Sequence, residues 1–326
     1  MLKIITTIIL VTLLMVSCGE QNSPEDYTGG YKIVKKAHTH GDASDVIIDG
    51  NYAYLAQGEG GLAIFDISNP KNPILVKNQT ENMKGSSSKL IKKGDLIYLA
   101  AGSSGFNIVN ISDLNNISVR DQDVNGKLVN LELLGDYLVS SLSETGVQMV
   151  KEESSIYIDF RGTTHPAGFA KGTAITNDET KMFIATGEMG LSLFDISFFD
   201  QGYGDYPLLS SINLPGYAES VVLNEEQMVA FVACGNKGLQ VVDYSAPSNL
   251  KVIASYDSAG YAKEIIYENG KIYLTASGLQ VYDVSTPSNP KILGIVDTEH
   301  ALGVTIDANY IYVADKEEGL IIIGKK

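Results

Sequence analysis

A glycine followed by alternating apolar residues, closed in most copies by an aspartate or asparagine, recurs seven times along the chain. The copies are GLAIFD from Gly61, GFNIVN from Gly105, GVQMVK from Gly146, GLSLFD from Gly190, GLQVVD from Gly238, GLQVYD from Gly278 and GLIIIG from Gly319. Their spacings of 44, 41, 44, 48, 40 and 41 residues suit a four-stranded propeller blade. A helical repeat of similar length would carry apolar residues at i, i+3 and i+4, whereas these segments alternate with period two and are rich in Val, Ile, Phe and Tyr. The expected fold class is all-β, a seven-bladed β-propeller.

Four strands are legible in the first complete copy. An inner strand runs from Asp45 to Ile48, Asp49-Gly50-Asn51 turns into Tyr52 to Ala56, a Gly-rich loop leads to Leu62 to Ile67, and Ser68-Asn69-Pro70 turns into Ile74 to Lys77. Asp-Gly-Asn supplies the positive φ of a tight hairpin, and Asn-Pro stops the ladder. Aspartates 66, 195, 243 and 283 have the chemistry of calcium ligands, but a bond from each side chain to the following turn accounts for them more simply. After the third strand of the seventh copy only Lys325 and Lys326 follow. Tyr31 to Lys36 (YKIVKK) has no blade of its own and matches the outer-strand pattern of Lys291 to Val296. Pairing it with the seventh copy closes the ring and leaves no open ends in the stack. The expected organisation is residues 1–17 as a signal peptide, 18–30 as a lipidated tether and 31–326 as the propeller.

The leader reading rests on Lys3, the apolar run Ile4 to Met15 and the small residues before Cys18; the run is shorter than the ~20 residues of a membrane span. Leu14-Met15-Val16-Ser17-Cys18 resembles the bacterial lipobox, with Met15 where leucine is usual, and the resemblance implies lipid on Cys18. The alternative is a plain secretory signal with an ordinary thiol at Cys18. The expected location is the bacterial cell envelope, at the outer membrane, with the membrane met only through lipid. Cys234, the second of two cysteines, then has no intramolecular partner and reads as a small buried residue. Acidic residues outnumber Lys and Arg by 39 to 24, a net charge of -15, and no basic stripe exists to replace the counterions of a phosphate backbone. Nucleic acid is therefore not expected as a partner.

The stretches GLAIFDISNPKNPILV, GLQVVDYSAPSNLKVI and GLQVYDVSTPSNPKILGIV resemble LVIVD-type propeller repeats, found in many bacterial secreted and lipid-anchored proteins. The resemblance covers residues 31–326, with copies three and seven departing at Lys151 and Gly324. It implies the propeller fold and a role as a binding or surface scaffold, and it carries no catalytic motif.

Counting back from the second-strand aromatic of each copy places Asp42, Ser86, Lys127, Phe169, Tyr217, Tyr261 and His300 at the mouth of the central channel. Two residues further on come Ser44, Ser88, Val129, Lys171, Glu219, Lys263 and Leu302. Phe169, Tyr217, Tyr261 and His300 form an aromatic arc flanked by Lys171, Glu219 and Lys263, a composition suited to holding an envelope protein, a peptide or a glycan. The competing reading is that Tyr217 and Tyr261 plug the channel. His40, Asp42 and His300 become neighbours on ring closure and form a candidate transition-metal site, the basis of an alternative reading as a lactonase- or esterase-like hydrolase. That alternative is also served by the inner-strand residues Asp45, Asn130 and Glu264, interrupted by Gly172, Ser220 and Gly303. No cofactor is expected. The chain has no Gly-x-Ser-x-Gly elbow and no phosphate-cradling glycine loop before a helix. Its lack of tryptophan removes the tryptophan-bearing signatures of quinoprotein and sialidase propellers and of tryptophan-aspartate repeats.

Overall fold

The computed structural model describes residues 28–154, 157–199 and 204–325. The signal peptide expected at residues 1–17 and most of the tether, including Cys18, lie outside the described residues. Among the described residues all regular structure is β: seven four-stranded antiparallel sheets, each built from consecutive strands except one. In blade 1 the strands are Asp45–Asp49, Tyr52–Ala56, Leu62–Asp66 and Ile74–Gln79, with ends one or two residues from those legible in the sequence. Blade 7 takes its outer strand, Lys32–Ala37, from the start of the propeller. That strand pairs with Gly319–Gly324 from Lys32 opposite Gly324 to Ala37 opposite Leu320.

Period-two alternation decides how the blades stack. In blade 1, Ala53, Leu55, Ala63 and Phe65 face blade 7 and pack with Tyr312, Ala314, Leu320 and Ile322. The intervening Tyr54, Ala56, Leu62 and Ile64 face blade 2 and pack with Leu90, Ile97, Leu99 and Val109. The same division yields a buried apolar cluster at each of the seven junctions between neighbouring blades. The middle strands are therefore buried on both faces, and each blade is stable only between two others.

At the mouth face, five successive junctions are stitched by backbone. A residue of positive φ in the loop between second and third strands pairs with the next blade: Gly58 with Ser87, Gly187 with Ala218 and Gly235 with Ala262 exchange two hydrogen bonds, while Gly102 and Ser143 accept one each from Leu128 and Ala170. At the other face, Oδ1 of Asp66, Asp195, Asp243 and Asp283 accepts the backbone N–H two residues on, at 2.8–2.9 Å. Bonds from the following serine hold all four carboxyls below the usual range. The turn explanation of these aspartates is the one the geometry satisfies.

Candidate functional site

The inner strand of each blade starts at the mouth, so the residues just before it ring the channel entrance. Together they enclose a cup of about 600 Å³ lined from all seven blades. Ser44, Ser88, Val129, Lys171, Glu219, Lys263 and Leu302, the seven equivalent positions of the second ring, all lie in its wall. The next equivalent position contributes Lys89, Asn130, Gly172, Ser220 and Glu264.

Glu219 organises one side. Its Oε1 accepts the Tyr261 hydroxyl at 2.7 Å, its Oε2 lies 3.1 Å from Lys263 Nζ and 3.7 Å from Lys171 Nζ, and its side chain is only 8% exposed. Burial raises the Tyr261 and Tyr217 phenols, and Glu219 raises both further. Each ring leans on a loop glycine of the preceding blade. A Cβ on Gly187 would meet the Tyr217 ring at 2.9 Å, and one on Gly235 would meet the Tyr261 ring at 2.9 Å. Lys171 Nζ stands 5.1 Å from the Tyr217 ring centroid, a cation–π contact.

The expected aromatic arc is thus brought together only in part. Tyr217 and Tyr261 sit beside Glu219 and the two lysines. Phe169, Tyr217, Tyr261 and His300 do not line the cup. They stand around it, with Phe169, Tyr261 and His300 exposed.

Within the cup the channel is crossed by a lysine that is not among the site residues expected from the sequence. Lys89 of blade 2 reaches Glu264 of blade 6 at 2.7 Å and Asp45 of blade 1 at 3.3 Å. Blades 2 and 6 are not neighbours, so the lysine spans the axis. Asp45 Oδ2 also accepts the Leu90 N–H at 3.0 Å, and Glu264 Oε1 accepts the Ser220 hydroxyl at 2.9 Å. Burial disfavours the Lys89 ammonium, but the two carboxylates overcome this and hold its pKa above the ordinary lysine value. Burial raises the Asp45 carboxyl, opposed by Lys89 and reinforced by Glu264. Lys89 therefore belongs to the lining of the cup and reaches across the channel, whereas Tyr217 and Tyr261 do not line it. The lysine was legible in principle, because it occupies in copy two the position that Asp45 holds in copy one.

The metal site expected at His40, Asp42 and His300 is not assembled. His300 Nδ1 bonds Glu317, and Asp42 lies 3.8 Å from Lys316 Nζ. His300 and Asp42 are thus paired with loop residues of blade 7, and among the described residues no set of three His, Cys, Asp or Glu is placed to hold an ion. Of the inner-strand trio, Asp45 and Glu264 are committed to Lys89, and Asn130 donates to Thr173 Oγ1 at 3.4 Å.

A second cavity, of about 730 Å³, opens on the opposite face among blades 3 to 6 and contains Glu132, Glu225 and Glu226 but no lysine or arginine. Burial raises the Glu132 carboxyl, which accepts the Thr173 hydroxyl at 2.6 Å.

No curated protein matches the sequence. Among solved structures, the WD40 β-propeller domain of Doa1 matches with a TM-score of 0.71 at 12% identity, covering 91% of this chain and 97% of that one. The computationally designed Ika8 protein matches with a TM-score of 0.64 at 10% identity, covering 90% of this chain and all of that one. At such identities the likeness concerns the fold alone. The LVIVD-repeat family model matches residues 40–80, 215–258, 259–298 and 300–323, which correspond to blades 1, 5, 6 and 7. The match to copy seven ends at Ile323, just before Gly324, and blades 2 to 4 lie outside the matched segments. The chain therefore carries LVIVD repeats, set in a seven-bladed β-propeller.

Proposed function

We propose that this protein is a non-enzymatic binding scaffold of the bacterial cell envelope, held at the outer membrane by lipid on Cys18, that captures a protein, peptide or glycan at its channel mouth. The observation that carries the reading is the cup itself, a concave site lined by residues from every blade. Such a site exists only when the ring is closed, and its size falls in the usual range of ligand clefts.

The direction of the first strand supports the same reading. Its Lys32 end lies opposite Gly324, and its Ala37 end lies opposite Leu320, beside the mouth loop at 316–318. The chain before Lys32 therefore leaves from the face opposite the mouth, where Thr28 and Gly29 touch the backbone of Leu293 and Gly294. A tether running from that face to a lipidated Cys18 would hold the body with its mouth turned away from the membrane.

The test is affinity capture from detergent-solubilised envelopes with the wild-type protein and with a Tyr217→Ala/Tyr261→Ala/His300→Ala variant whose folding is verified by circular dichroism. A partner recovered by the first and lost by the second supports the mouth as the site; equal recovery overturns it. Anchoring is tested separately, since Cys18→Ser is expected to move the protein from the membrane fraction to the soluble fraction.

A further inference from the structure

The cup differs in charge from the body that carries it. The chain as a whole has a net charge of -15, yet four lysines line the cup against the carboxylates of Glu219 and Glu264, with Asp45 behind them on Lys89. Lys89 is tied to Asp45 and Glu264, while Lys171 and Lys263 share Glu219. Lys127 is exposed and makes no ion pair among the described residues.

Amines and hydroxyls meet on one side of the cup: Lys127 comes from blade 3, and Ser86, Ser103 and Ser104 come from blade 2, whose loop pairs through Gly102 with Leu128, the residue after Lys127. These three hydroxyls make no hydrogen bond among the described residues. A serine hydroxyl both donates and accepts, and therefore matches a partner that also does both. An unpaired ammonium beside such hydroxyls matches a carboxylate carried on a hydroxyl-rich body. The aromatic rings that would grip an apolar peptide side chain stand outside the cup wall.

From this arrangement we infer that the cup binds an acidic sugar, its carboxylate on Lys127 and its hydroxyls against the serines of blade 2. The inference rests on the mouth-binding reading and narrows its ligand class. The lysine pair on Glu219 supplies a second cationic wall, so a short uronate chain has ion-pairing partners at more than one residue. Neutral sugars would leave Lys127 unanswered, and acidic peptides would bring single backbone donors and acceptors, rather than a dense set of hydroxyls, to the serines.

Calorimetric titration of the full protein with digalacturonate, galactobiose and triglutamate tests the assignment. The galactobiose is the α-1,4-linked disaccharide, which differs from digalacturonate only in carrying hydroxymethyl groups where the acid has carboxylates. Digalacturonate is expected to bind at least about tenfold more tightly than either of the others, and more weakly as salt is raised. Lys127→Ala should weaken it by about tenfold, and Lys127→Arg should restore most of the loss. Equal binding of galactobiose, equal or tighter binding of triglutamate, indifference to Lys127→Ala, or no heat at millimolar digalacturonate would each overturn the inference. Mouth-dependent capture of an envelope partner alongside such a failure would remove the sugar assignment and leave the scaffold reading standing.

Discussion

Replacing Lys89 by alanine removes the ammonium that joins blades 1, 2 and 6 across the channel and leaves Asp45 and Glu264 facing each other. Asp45 is 5% exposed, Glu264 18% and Lys89 23%, so the carboxylates lose a partner that water replaces only in part. Deleting one member of a buried ion pair costs about 3–5 kcal/mol, and the residual exposure of Lys89 argues for the lower end, about 3 kcal/mol. With an unfolding entropy of about 2 cal/mol/K per residue over roughly 300 residues, that loss lowers the melting temperature by about 5 °C. The effect depends on pH in a defined direction. In the wild type, Lys89 has a folded pKa above its ordinary value. Its contribution is complete below the ordinary lysine pKa and fades only as pH rises through the raised one. In the variant, Asp45 loses the ammonium that opposes the upward push of burial on its carboxyl, and its protonation favours the folded state at low pH. The gap between variant and wild type should therefore narrow as pH falls from neutral toward about 4. Thermal scans of both proteins across that interval are the assay. An unchanged melting temperature at neutral pH, or a gap that does not vary with pH, would refute the brace. Neutralising both carboxylates in the Lys89→Ala background (Asp45→Asn, Glu264→Gln) should recover part of the loss.

Three further outcomes are expected. Deleting residues 32–37 exposes the edge of Gly319–Gly324, whose Leu320, Ile321, Ile322 and Ile323 are fully buried. The truncated protein should elute as aggregate, and a monomer of unchanged melting temperature would contradict strand closure. Gly105 and Gly94 both have positive φ, but a Cβ on Gly105 would meet the Gln122 carbonyl oxygen at 2.0 Å, whereas one on Gly94 meets nothing within 4 Å. Chemical denaturation should give a loss of about 1–2 kcal/mol for Gly94→Ala and at least about 3 kcal/mol for Gly105→Ala. Burial pushes the Cys234 thiol up to about 12, so in a Cys18→Ser background a thiol reagent at mildly alkaline pH should label the unfolded protein and leave the folded one unmodified.

The architecture was legible because its signal is repeated. Alternation in Leu62–Asp66 alone would suit any half-buried strand, but seven copies with Gly before and a turn-bonding Asp or Asn after most of them leave few folds that bury every copy alike. The strand at Tyr31 to Lys36 was recognisable by its likeness to Lys291 to Val296, and blade 7 uses Lys32–Ala37 in that role. Backbone equivalence also located the cup wall, since Ser44, Ser88, Lys171 and Glu219 follow from position in the repeat. Side-chain direction did not follow. Position put Tyr217 and Tyr261 at the mouth, but their rings lean on Gly187 and Gly235 of the preceding blades, a rotamer choice made by neighbours distant in sequence. His300 and Asp42 were correctly brought to one region, yet Glu317 and Lys316, on the adjoining loop, are their partners. Lys89 carries no local signal of its role, because its partner Glu264 is 175 positions away.

The most direct test of the mouth as the binding site is amide hydrogen exchange with and without a saturating ligand or captured partner. Slowed exchange at 85–89, 101–104 and 127–130, which line the cup, is the predicted result. Slowed exchange confined to the opposite face, around 224–227 and 269–270 in the acidic cavity, would contradict it.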